Sequence, residues 1–173
     1  MPPSWKDSLP QRLSQFKKDD RIVLPQTCLV GIGSDLRGDD SAGLMVARAL
    51  LDDERVASAS HLLIVDGGPA PENHTGKIRA FQPEFVLFID AAQMDESPGT
   101  IQWIPLDAID GMSASSHSLP LSMLARYLTL EIGCEVAVLG IQPGQNEISA
   151  ELSPPVHAAV GEILAGIGEM LLR

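Results

Sequence analysis

Residues 27–51 run Thr-Cys-Leu-Val-Gly-Ile-Gly-Ser-Asp-Leu-Arg-Gly-Asp-Asp-Ser-Ala-Gly-Leu-Met-Val-Ala-Arg-Ala-Leu-Leu. The first six are nearly all apolar, as in a strand covered on both faces. Gly33 to Gly38 is loop chemistry. Ser41 to Leu51 then places apolar residues at helical spacing. Strand, glycine-rich turn and helix in that order begin an α/β unit.

The rhythm continues downstream. Residues 61–66 (HLLIVD), 85–90 (FVLFID), 100–104 (TIQWI) and 135–141 (EVAVLGI) are predicted strands. Helices are predicted from Pro71 onward, which suits a first turn, over 120–132 and from Pro155 to Leu172. The expected fold is a three-layer α/β/α sandwich around a twisted, mostly parallel five-stranded sheet. Residues 1–21 are polar and hold Pro2, Pro3 and Pro10. Leu9, Leu13 and Phe16 suggest a short amphipathic helix there. The expected division is an N-terminal extension over 1–21 and one α/β domain over 22–173.

Composition bounds the partners. Lys and Arg total 12 against 23 Asp and Glu, a formal charge of -11. Residues 1–21 carry five bases and three acids, which leaves the rest of the chain at -13. Nucleic acid and anionic lipid are unsuited partners, because both need a basic face. An acidic body favours cations or a basic protein surface. Cys28 and Cys134 form no CxxC pair and sit in apolar runs, as buried thiols in a reducing compartment do. No secretory h-region and no run of 18 apolar residues is present, so a cytoplasmic protein without membrane insertion is expected.

In open α/β sheets ligands bind beyond the carboxyl ends of the strands. Strand one leads to Asp39 and Asp40 at a helix entry. An N-cap explains one of these well and two adjacent ones poorly. The spacing is neither G-x-G-x-x-G nor a P-loop, and two acids would repel a phosphate. Strand three ends in Asp90 after five apolar residues. A carboxylate there needs a partner or a metal. Asp66 closes strand two before Gly67-Gly68, which is turn chemistry. His117 lies in a small polar loop before Pro120. Two carboxylates and one imidazole form a donor set with open coordination positions, suited to a catalytic or transient metal. His61 and His157 fit structural places, and His74 could be a satellite of the site.

These motifs together resemble the nickel–iron hydrogenase maturation endopeptidases, in particular the branch serving hydrogenase 3-type, formate-linked enzymes. The resemblance rests on Gly31 to Gly43, Asp90-Ala91-Ala92-Gln93-Met94, His117 before Pro120-Leu121, Gly67 to Asn73, and Gly140-Ile141-Gln142-Pro143. It covers roughly residues 27–170. It implies that Asp40, Asp90 and His117 hold nickel supplied by a hydrogenase large-subunit precursor, with another divalent metal as a substitute in vitro. It further implies that Asp40 and Asp90 are catalytic and that a monomer removes the precursor's C-terminal extension by one cut. Two positions depart from the family pattern: Ser34 replaces its Asn, and Ser41 replaces the glycine after the acid pair. Two other readings remain open at this level. A phosphorelay receiver shares the acid pair and the strand-end aspartate, but its lysine after strand five is missing, and no lysine occurs after Lys77. A non-catalytic metal or hydrogenase-binding chaperone could use the same three ligands.

Overall fold

The computed structural model describes residues 4–18, 21–112, 119–148 and 151–172. In chain order the elements are α1 (Trp5–Ser14), β1 (Lys17–Lys18), β2 (Arg21–Ile22), β3 (Thr27–Ile32), α2 (Ala42–Leu51), α3 (Glu54–Ser58), β4 (Leu62–Gly68), α4 (Thr75–Phe81), β5 (Phe85–Ala91), β6 (Ile101–Ile104), α5 (Ile109–Met112), α6 (Leu121–Ile132), β7 (Glu135–Ile141) and α7 (Pro154–Leu171). β1 and β2 form a small antiparallel ladder of their own.

The main sheet has the order β4-β3-β5-β7-β6. β3 pairs in parallel with β4 and β5, and β5 in parallel with β7. Only β6 is antiparallel, on the far side of β7. All five strands occur where the apolar runs predict them. Counting only these five, the spatial order is 2-1-3-5-4, which departs from the 2-1-3-4-5 order of flavodoxin-like and receiver sheets.

β3 and β5 are buried along their whole length, so both sheet faces need apolar cover. Side chains alternate between the faces. Leu29, Phe85, Leu87, Ile89 and Leu139 face α2 and α7, with Val46, Leu50, Val156, Ile163 and Ile167 packed against them. Cys28, Val30, Val86, Phe88 and Val138 face the other way, under Ile78 of α4 and Leu121, Leu124 and Leu128 of α6. The two free cysteines are buried in this second layer. Burial pushes the Cys28 thiol up to about 12 and also raises that of Cys134.

The helix of the N-terminal stretch packs against the α/β domain. α1 buries Trp5, Leu9 and Leu13 in the same core as α2 and α7. The Trp5 ring occupies the space a side chain would take at Gly166 of α7, and its indole N–H donates to Glu162 at 3.0 Å. Arg12 lies 4.8 Å from the centre of the Trp103 ring on β6 and pairs with Glu135 at 3.1 Å. The polar composition of residues 1–21 conceals three apolar positions at helical spacing that the rest of the chain covers. Among the described residues no helix is long and apolar enough to cross a membrane.

Candidate active site

Glycines bring the two strand-end aspartates to one edge. A Cβ on Gly43, in the first turn of α2, would stand 2.1 Å from the Ile89 carbonyl oxygen and 2.4 Å from that of Ile32. Only a glycine lets the helix start rest directly on the ends of β3 and β5. Gly33 has φ +144°, and a Cβ there would meet the Asp40 carbonyl at 1.9 Å. Between them Gly38–Ser41 forms a 3-10 turn that packs against β5. Asp40 is thereby held beside the strand that carries Asp90. Its N–H donates to the Arg37 carbonyl at 2.8 Å, and its own carbonyl accepts from Ser34 N–H at 3.3 Å.

Asp40 is 2% exposed and Asp90 1%. Asp90 lies opposite Gly140 of β7. Strand alternation puts its side chain on the α6 side of the sheet, with Val86 and Phe88. His117 lies outside the described residues; in sequence it precedes Pro120, the N-cap of α6, by three positions. Among the described residues no three His, Cys, Asp or Glu side chains form a cluster suited to a metal. The set of three expected from the sequence includes one residue outside that description.

The structure gives Asp39 a structural task. Asp39 is fully buried and entirely engaged by the loop before α7. Its Oδ2 accepts from the N–H of Gly144 at 2.7 Å, the N–H of Gln145 at 2.9 Å and the Ser153 hydroxyl at 2.8 Å. Its Oδ1 accepts from Ser153 N–H at 2.6 Å. With its oxygens so occupied, Asp39 is a fastening for the loop.

Asp66 does more than terminate a turn. Arg48 of α2 donates through Nε to Asp66 at 2.7 Å and through its two terminal nitrogens to Asp35, at 3.0 Å from Nη2. This fork ties the Ser34–Gly38 loop to β4. The Arg48 hydrogen bonds hold the Asp35 carboxyl below the usual carboxylate range. The two departures from the family pattern serve the local backbone. Ser34 Oγ accepts from Leu36 N–H at 3.3 Å, and the Ser41 hydroxyl donates to the Gly38 carbonyl at 2.8 Å. His61 contacts the Leu171 carbonyl through Nε2 at 2.8 Å, and His157 is exposed on α7. His74 closes a 3-10 turn just beyond β4.

Sequence reasoning missed Arg48 and Ser153, which build this edge, and met Gln142 only as part of a motif. Gln142 is 5% exposed, directly after β7. A buried amide at a strand end was the available signal, since such a group requires partners.

The fold is thus an α/β sandwich that carries buried carboxylates at the carboxyl edge of its sheet, placed by glycine contacts rather than by a phosphate-binding loop. Comparison with known proteins specifies the class. Residues 46–169 match the family model described as hydrogenase maturation protease. The hydrogenase 3 maturation protease of Escherichia coli K12 is 36% identical over 135 residues, which are 76% of this chain and 82% of that one. The crystal structure of a nickel–iron hydrogenase maturation protease from Thermococcus kodakarensis superposes with a TM-score of 0.75 at 32% identity, covering 85% of this chain and 92% of the other. The solution structure of an endopeptidase from Escherichia coli gives 0.67 at 34%, covering 80% and 86%. The chain belongs to the hydrogenase maturation protease family, and it is a peptidase.

Proposed function

We propose that this endopeptidase removes, by a single cut, the C-terminal extension of a hydrogenase large-subunit precursor, and that it recognises nickel already bound in that precursor through Asp40, Asp90 and His117. The precursor is of the hydrogenase 3 type, after the relative at 36% identity. The observation that supports this reading is that Asp40 and Asp90 are both buried and that the turn bearing Asp40 packs against β5, the strand that bears Asp90. A carboxylate withdrawn from water needs compensating groups, and a cation is one such group. Carboxylate oxygens with one imidazole suit a divalent first-row metal and leave positions open for its other ligands.

In this reading the metal is part of the substrate. Bound at the site, it supplies Lewis acidity toward the scissile carbonyl or an attacking water. The chain's own residues locate the cut: Gly43 and Gly33 set Asp40, β5 sets Asp90, and cleavage waits until the precursor is loaded. The free, buried cysteines fit a reducing compartment, and we assign the activity to the cytoplasm.

The test is processing of nickel-loaded precursor by Asp40→Asn, Asp90→Asn and His117→Ala variants, each checked for native circular dichroism. The expected result is a folded protein that releases no C-terminal fragment. Wild-type release by all three would refute the site assignment.

A further inference from the structure

The buried polar side chains among the described residues are Thr27, Asp39, Asp40, Asp90 and Gln142. The Thr27 hydroxyl is satisfied by the Pro25 carbonyl at the start of β3, away from the site. Asp40 and Asp90 are the proposed ligands. Asp39 and Gln142 remain, and both act on one four-residue segment, 142–145.

Gln142 grips the loop that follows Asp90. Its Oε1 accepts from Met94 N–H at 2.7 Å and Glu96 N–H at 3.4 Å. Its Nε2 donates to Gln93 Oε1 at 3.0 Å and to the Pro143 carbonyl at 3.2 Å. Its main chain is also fixed, since its N–H donates to Thr100 at 2.9 Å and its carbonyl accepts from Gly99 at 2.8 Å. Two residues on, the N–H groups of Gly144 and Gln145 donate to Asp39, and Asp39 N–H donates back to the Gln145 carbonyl at 3.0 Å. A continuous hydrogen-bonded path therefore runs from the loop after Asp90, through 142–145, to the residue beside Asp40.

We propose that Asp39 and Gln142 are positioning residues for the cleavage reaction, and that segment 142–145 is a strap holding the Asp40 turn and the Asp90 loop in fixed register. The proposal rests on the reading of Asp40 and Asp90 as the metal-binding carboxylates. Neither positioning residue is placed to touch the precursor: both are buried and their bonding capacity is directed into the protein. A buried amide or carboxylate with this many partners is rigid, because each partner lost exposes an unsatisfied group. Two ligands from different elements need such rigidity, since a misplacement of about 1 Å can cost roughly a hundredfold in rate.

The test measures kcat and KM of the full-length enzyme on nickel-loaded precursor, below the unfolding temperature. Gln142→Met keeps the volume and removes all four side-chain bonds. Asp39→Asn turns an acceptor into a donor facing N–H groups. Ser153→Ala removes one bond to Asp39, and Ser153→Thr keeps it. The expected result is a fall in kcat of about 100-fold for Gln142→Met and Asp39→Asn, with KM changed less than about threefold. Ser153→Ala should fall less, and Ser153→Thr should regain the lost rate. If Asp39→Asn does not fold, the serine pair decides the Asp39 half. Wild-type kcat in folded Gln142→Met, or in Ser153→Ala, overturns the proposal, as does a change confined to KM. Asp40→Asn and Asp90→Asn run alongside: wild-type cleavage by these would remove the ligand reading itself, whatever the strap variants do.

Discussion

Gly43→Ala offers a stringent perturbation because the structure sets its size. The added methyl would stand 2.1 Å from the Ile89 carbonyl oxygen, 2.4 Å from the Ile32 carbonyl oxygen and 2.9 Å from the Ile32 nitrogen. All three are backbone atoms at the ends of the central strands β3 and β5, so no rotamer change relieves the contact. An unstrained carbon–oxygen approach is about 3.3 Å or more. The start of α2 must therefore withdraw by about 1 Å, a shift that reaches Asp40 three residues earlier. Overpacking of this kind costs typically 1–3 kcal/mol. Contact from backbone on two strands puts Gly43→Ala at the upper end, about 3 kcal/mol. Processing should fall about 100-fold in the fraction that remains folded. Gly161→Ala is the matched control: it lies exposed in α7 with nothing within 4 Å of the added methyl. It should stabilise by about 0.5–1 kcal/mol and leave processing unchanged. Denaturant unfolding and a precursor-cleavage assay on both variants provide the measurement. A Gly43→Ala protein within about 0.5 kcal/mol of wild type, cutting at the wild-type rate, would refute the close-approach argument.

Leu9→Ala should cost about 2–4 kcal/mol, since Leu9 is 0% exposed in the shared core; a loss below about 0.5 kcal/mol in denaturant unfolding would mean that α1 is not part of the domain. Arg48→Met removes the fork to Asp35 and Asp66. The Asp35 carboxyl is depressed in the folded state, so its contribution is present above the unfolded value near 3.9 and is lost as pH falls through the lower folded value. The stability gap between wild type and Arg48→Met should thus be under about 1 kcal/mol at pH 7, because the pair is half-exposed, and should close as pH falls through the lowered folded value of Asp35. A gap that widens on acidification would contradict the pairing. Cys28, fully buried with its thiol raised to about 12, should resist iodoacetamide at pH 8 until the chain unfolds; rapid native labelling, read by mass spectrometry, would contradict its burial.

The sheet was legible because its strands are covered on both faces. Thr27–Ile32 and Phe85–Ala91 must be continuous apolar runs when helices flank each side, and local composition carries that signal directly. The same logic exposed Asp90, a charge at the end of such a run. Legibility ended where partners are distant in sequence. Asp39 and Asp40 are alike in chemistry, and the task of Asp39, holding Gly144, Gln145 and Ser153, shows only in the fold. α1 presented three apolar positions, but its receiving surface is Gly166 and the core beneath α7, more than 140 residues away. Gln142 was visible as part of a motif, while its task of gripping residues 93–96 emerges only once β7 lies beside β5.

The central claim is that cleavage waits for the metal. The direct measurement is to incubate the wild-type enzyme with nickel-loaded and nickel-free forms of the same large-subunit precursor and to follow release of the C-terminal fragment by mass. The account predicts release from the loaded form and an intact nickel-free form. Equal release from both would contradict it.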